Sequence, residues 1–236
     1  MSLTAEDLAG RIDHTLLAPE ATPDHVDALC EEAVRYGFAG VCVNPIYVRR
    51  AAAGLAELAR RLPEAHRPAV VSVAGFPLGA NATATKADEA RRAMDDGATE
   101  IDMVVPVGSL IEGDRAAVRR DIEAVARAVH GSRPGAILKV ILETRVLSDE
   151  RIVLGCRCCA EGEADFVKTS TGFHPAGGAT VEHVALLYRH ASPIRVKASG
   201  GIRTAAVAMA LAEAGAARIG TSSGVAIIEE LRREVG

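Results

Sequence analysis

The chain has 236 residues, 49% of them apolar and 25% charged, with no Trp and a formal net charge of −4. The core must therefore be built from Ala, Val, Leu and Ile, and neither half carries the basic block that would make nucleic acid an expected partner. The opening residues, Met1-Ser2-Leu3-Thr4-Ala5-Glu6-Asp7, lack the features of a signal peptide, and no run approaches the roughly eighteen apolar residues of a membrane span, so a soluble, cytoplasmic protein is expected.

In chain order, residues 3–10 read as a short extra N-terminal helix, placed to cover one end of the fold. β-Prone runs follow at 12–17, 40–43, 69–74, 100–105, 136–142, 164–168, 194–198 and 218–220. Ala/Leu/Arg/Glu-rich runs of helical period fill the intervals near 24–36, 46–61, 83–95, 114–130, 148–161, 180–190, 203–213 and 223–233. Thr22-Pro23-Asp24 and Ser148-Asp149-Glu150 supply helix starts, and Gly37, Gly97, Gly162 and Gly215 supply helix ends. No linker divides the run, so the rhythm predicts βαβ units, a parallel sheet and the α/β class. Eight repeats fit a single closed (β/α)8 TIM barrel over residues 1–236; an open doubly wound sheet is the alternative.

In such a barrel the chemistry sits where strands end. The polar residues at those ends are Asp13, His14, Thr15, Cys42, Asn44, Asp102, Glu143, Lys168, Lys197 and Ser199. Two lysines ending neighbouring apolar strands are costly to desolvate and repel each other while both are protonated, so one is expected to lose its proton. A free amine beside a second cation is what a carbonyl nucleophile requires, and Lys168 and Lys197 fit those parts in that order. Strand alternation adds a condition: if Asp102 and Lys197 point inward, Glu100 and Arg195 do so lower down, and each needs a partner. Lys139 could tune Lys168 or simply pair with an acid such as Asp102 or Glu143. His14 reads as a loop-orienting residue rather than a base.

After the seventh and eighth strands, Ser199-Gly200-Gly201 and Gly220-Thr221-Ser222-Ser223-Gly224 offer small hydroxyls and bare amides where barrels commonly hold phosphate. Neither a Walker A nor a GxGxxG pattern occurs, so no nucleotide cofactor is expected. The five cysteines, at 30, 42, 156, 158 and 159, and the seven histidines show no metal-ligand spacing, and no metal is expected. Exposed apolar residues on helices leave a homodimer open.

Asp13-His14-Thr15-Leu16-Leu17, Val41-Cys42-Val43-Asn44-Pro45, Gly75-Phe76-Pro77-Leu78-Gly79, Glu100-Ile101-Asp102-Met103-Val104, Leu138-Lys139-Val140-Ile141, Phe166-Val167-Lys168-Thr169-Ser170-Thr171-Gly172, Lys197-Ala198-Ser199-Gly200-Gly201 and Gly220-Thr221-Ser222-Ser223 together resemble the deoxyribose-phosphate aldolase family from first strand to last helix. The resemblance implies a (β/α)8 class I aldolase, working without cofactor or metal, that reversibly splits 2-deoxy-D-ribose 5-phosphate into D-glyceraldehyde 3-phosphate and acetaldehyde in deoxynucleoside catabolism. It implies Lys168 as Schiff-base former and Asp102 with Lys197 as the proton donor/acceptor pair. Thr15, Asn44, Thr171, Gly172, Ser199, Gly200, Gly201, Ser222 and Ser223 are expected around the sugar phosphate, with Thr15 alternatively only capping its loop; Cys42 either meets the aldehyde with its thiol or is a buried small apolar side chain. One departure stands out: some members carry a lysine after Thr-Ser-Thr-Gly, whereas this chain has Phe173-His174, which predicts a phosphate grip resting on backbone amides and a looser selectivity. A sugar-phosphate isomerase or epimerase, and a non-enzymatic phosphate-ligand binder, remain as alternatives on the same scaffold.

Overall fold

The computed structural model describes residues 3–235. Eight strands, β1 (Ile12–Leu16), β2 (Gly40–Val43), β3 (Ala69–Ala74), β4 (Glu100–Val104), β5 (Ile137–Ile141), β6 (Phe166–Lys168), β7 (Arg195–Ser199) and β8 (Ala216–Thr221), pair in sequence order. All pairings are parallel, and β1 closes on β8 through Ile12↔Ile219, Asp13↔Gly220 and His14↔Thr221. This is the (β/α)8 barrel; the open doubly wound sheet is excluded by the β1–β8 pairing.

Among the described residues, ten α-helices surround it: α1 (Ala5–Ala9), α2 (Pro23–Tyr36), α3 (Val48–Arg61), α4 (Thr83–Asp95), α5 (Val107–Glu112), α6 (Arg115–His130), α7 (Asp149–Glu161), α8 (Val181–His190), α9 (Ala205–Glu213) and α10 (Gly224–Val235). The caps explain the boundaries. Thr22 accepts from the His25 amide and Pro23 takes the first turn of α2, which stops at Gly37 in the left-handed region, φ 70°. Ser148 likewise accepts from the Arg151 amide to start α7. The N-terminal helix α1, held by a Thr4/Asp7 capping box, buries Leu8 and packs against α10.

The strand ends differ from the sequence reading in a few places. β6 starts at Phe166 rather than residue 164, and β8 starts at Ala216 rather than 218, because Ala216-Ala217 carries no strand signature of its own. Helix α5 and short 3₁₀ turns at Pro45–Tyr47 and Thr144–Val146 are additional; none is long enough to display a helical period. Among the described residues, no helix is long and apolar enough to cross a membrane.

Apolar burial lies mostly between barrel and helices, where Ile101, Met103, Leu138, Val140, Val167, Val196 and Ile219 meet the inner helix faces. Inside the barrel the alternate side chains are largely charged. Only Leu17, Cys42, Val71 and Val73 form a small apolar cluster there, on the β1–β3 side.

Candidate active site

Period-two alternation sends Asp13, Glu100, Asp102, Lys139, Lys168, Lys197 and Arg218 into the barrel, and register stacks them into a column. Asp102 lies opposite Lys139, Lys168 opposite Lys197, and Lys197 opposite Arg218. Two glycines make room for this. A side chain at Gly40 would meet the Asp13 carboxylate at 3.1 Å, and one at Gly220 would meet Lys197 Cε at 3.1 Å. The β7–β8 pairing also slips between Val196 and Lys197.

The contacts run as a ladder. At its top, Asp102 Oδ2 accepts from Lys168 Nζ at 2.6 Å and from Lys197 Nζ at 2.8 Å. Asp102 Oδ1 accepts from Lys139 Nζ at 2.9 Å, and Lys139 also pairs with Glu100 at 2.5 Å. Lys197 donates a second, very short bond to Asp13. At the foot, Arg218 reaches Asp13 at 2.5 Å and Glu100 at 3.3 Å. Arg195, expected inside, is instead exposed at the barrel rim with its guanidinium 4.1 Å from the Phe166 ring centroid. An inward arginine there would be a further buried cation, whereas at the rim it keeps water and stacks on an aromatic face. Glu143 is no partner of Lys139. It sits at the end of β5 with φ 62°, and its Oε2 accepts from the Thr171 hydroxyl at 2.5 Å.

The column holds four cations, Lys139, Lys168, Lys197 and Arg218, against three carboxylates, Asp13, Glu100 and Asp102. An uncompensated ion in such an interior costs several kcal/mol, so one cation is under pressure to discharge. Arginine does not deprotonate in proteins. Lys139 and Lys197 each contact two carboxylates at bonding distance, whereas Lys168 contacts one. Burial accordingly pulls Lys168 below the ordinary lysine value, and the charge of Lys197 adds to the pull against the attraction of Asp102. Burial opposes the charge on Lys197 and Lys139 as well, but Asp102 with Asp13 in one case, and Asp102 with Glu100 in the other, hold both above it. Asp102, despite its burial, is held well below the usual carboxylate range by the three lysines. The arrangement contains one amine whose hold on its proton is weakened, one carboxylate bonded to it and one ammonium whose charge is favoured beside it. These are the parts of an amine nucleophile with a proton relay.

Lys168 is also the only one of the three column lysines that reaches open space. It floors a cleft of about 440 Å³ walled by residues of the β1, β6, β7 and β8 loops, including Thr15, Thr171, Gly172, Ser199, Gly200, Gly201 and Ser222. The β6 and β7 loops touch backbone to backbone. Ala179 N donates to Ser199 O and Gly200 O at 3.1 Å, and a Cβ on Gly178 would fall 2.0 Å from Gly200 O, so only glycine fits. Ser222, in the short loop between β8 and α10, stands in the same wall.

Of the anticipated binding residues, two lie off the cleft wall. Asn44 donates to Leu17 O at 3.2 Å and so holds the β1 loop, while the Ser223 amide donates to Thr221 Oγ1 at 2.9 Å. Several hydroxyls are committed within the protein: Thr15 to Asp13 O, Thr171 to Glu143 and Ser199 to Ser170 O. Cys42 lies inside the barrel beside the column, and burial pushes its thiol up to about 11. His14 Nε2 is paired with Glu32 at 2.6 Å, consistent with a loop-orienting role. Sequence reasoning missed Arg203. The helical run near 203–213 takes it in, but α9 begins two residues later, so Arg203 stands in the cleft wall with no ion pair among the described residues. Phe173, also on the wall, meets Phe76 edge-on at 5.2 Å.

Comparison with known proteins adds an independent line. A family model described as DeoC/LacD family aldolase matches residues 9–230. The deoxyribose-phosphate aldolase of Thermococcus gammatolerans is 50% identical over 227 residues, covering 96% of this chain and 97% of its own. That of Brevibacillus brevis is 50% identical over 218 residues, covering 92% and 93%. A tetrameric deoxyribose phosphate aldolase from Aeropyrum pernix superposes with a TM-score of 0.85 at 37% identity, covering 97% of this chain and 92% of that one.

Proposed function

The chain belongs to the DeoC/LacD aldolase family, among relatives that are deoxyribose-phosphate aldolases, and on that premise we propose that it reversibly cleaves 2-deoxy-D-ribose 5-phosphate through a Schiff base on Lys168. The observation that carries this reading is the surplus cation of the buried column, which falls on the single lysine that opens on the cleft. Neutral Lys168 attacks the C1 aldehyde carbon of the open-chain sugar, and the carbinolamine loses water to give an iminium. Asp102, bonded to both Lys168 and Lys197, passes the protons these steps need. The iminium then draws the C2–C3 electron pair as the C3 hydroxyl gives up its proton. D-Glyceraldehyde 3-phosphate leaves, carrying C3 to C5. The remaining enamine is protonated at C2 and hydrolysed, which releases acetaldehyde and restores the amine.

The phosphate then lies away from Lys168, against Gly172, Gly200, Gly201 and Ser222. Arg203 supplies there the cation absent at position 173. The grip therefore does not rest on amides alone.

Trapping tests the reading directly. The chain contains only four lysines, Lys86, Lys139, Lys168 and Lys197, all buried. Borohydride reduction in the presence of acetaldehyde, followed by peptide mass analysis, should place a stable adduct on Lys168. No adduct, or an adduct on another lysine, would sink the proposal.

A further inference from the structure

The foot of the charged column has no part in the chemistry above. Glu100 is buried and Arg218 half-buried, its side chain 13% exposed, below Asp13 and Lys139 and outside the cleft wall, out of reach of a substrate bound there. Yet Arg218 is one of the four cations and Glu100 one of the three carboxylates whose balance leaves a single positive charge over. We infer that Arg218 and Glu100 are positioning residues that act through Asp13, Lys139 and Asp102 to keep Lys168 uncharged. The inference rests on the Schiff-base reading of Lys168.

Lys168 is bonded to Asp102 from β4 and acted on by Lys197 from β7 and Cys42 from β2, while Asp13 from β1 and Lys139 from β5 join the column through Lys197 and Asp102. Below these lie Glu100 and Arg218, with Arg195 at the rim; Arg203 and Glu20 stand at the mouth. Take away Arg218 and three cations meet three carboxylates, so Lys168 can keep its proton with every charge compensated. Take away Glu100 and four cations meet two carboxylates, so Lys168 is pressed harder to release it. Remove both and three meet two, which restores a surplus of one. A residue that merely braces the barrel has no reason to give opposite signs for its two partners, or to cancel in the double variant. Discharge of Lys168 at that distance is a field effect through a low-dielectric interior, where a unit charge several ångströms away counts for much more than in water.

The experiment is the pH dependence of the rate at which acetaldehyde forms the reducible adduct on Lys168, in wild type, Arg218→Met, Glu100→Gln and the double variant, with thermal melts to verify folding. The acid limb should move to higher pH by about one unit in Arg218→Met, the size expected of one charge at an effective dielectric of about 20. It should move to lower pH in Glu100→Gln and return to the wild-type position in the double variant. A limb that stays put or moves the other way in either single variant overturns the inference, as does a double variant that remains displaced. If Arg218→Met does not fold, Glu100→Gln and the double variant decide alone. Absence of any Lys168 adduct in the wild type would instead defeat the Schiff-base reading, so the two failures are distinct.

Discussion

The barrel interior and its mouth solve opposite problems with the same strands. Inside, side chains do everything: seven ionisable groups, fixed by strand alternation and register, bond to one another and leave one cation without its own carboxylate. At the mouth the side-chain hydroxyls are largely spent on the protein itself, and the wall includes glycine backbone, the Glu20 carboxylate and the Arg203 guanidinium, which has no ion pair among the described residues. The first region is built to control protonation, where a displaced charge matters most. The second is built to admit an anion, where close backbone approach matters most.

Substitutions should separate the two regions. The largest effect is expected from Lys168→Met, which removes the nucleophile: turnover and adduct should fall to background, while three cations against three carboxylates should leave the melting temperature no lower than wild type. A calorimetric scan beside the assay would break the charge-counting account if that variant were markedly less stable. Asp102→Asn has the reverse profile in stability. It leaves four cations facing two carboxylates, so a loss of roughly 3–5 kcal/mol in denaturant unfolding is expected, with kcat down on the order of 10²–10⁴-fold as the proton relay goes.

At the mouth the effects should be smaller and of another kind. Arg203→Ala should raise KM for the phosphorylated sugar roughly tenfold to a hundredfold with kcat little changed, and steady-state kinetics with and without the phosphate group would show whether the loss follows the phosphate. Equal losses on both substrates would remove Arg203 from the phosphate site. Smallest of all, Cys42→Ser should leave the rate at neutral pH near wild type. With burial pushing the thiol up to about 11, little thiolate exists there to react, and alkylation by an unsaturated aldehyde should speed up as pH rises.

The same contrast explains what the sequence disclosed. Lys168, Lys197 and Asp102 were legible because strand alternation and strand-end position are local properties, and alternation also foretold Glu100. Arg218 was not, because its partners Asp13 and Glu100 lie on β1 and β4, and only closure of the barrel brings them together. Arg195 needs no buried partner because, as the strand's first residue, it reaches water. Arg203 was hidden by a helix boundary misplaced by two residues. The roles of Thr171 and Ser199 depend on bonds to Glu143 and to the Ser170 carbonyl, made by loops whose left-handed glycines no periodicity reveals. Helix α5 escaped because six residues cannot show a repeat.

The central claim is that Lys168 alone among the column lysines is neutral when its neighbours are charged, and direct titration tests it most closely. With four lysines in the chain, heteronuclear NMR of selectively labelled lysine side chains can follow each amine, assigned through single Lys→Met variants. Burial and the Lys197 charge lower the Lys168 value, so its amine should lose its proton below the ordinary lysine range of about 10.4, and activity should fall as pH drops through that point. Lys139 and Lys197 should stay protonated beyond it. A Lys168 amine that titrates at or above the ordinary value, or a Lys197 that discharges first, would contradict the account.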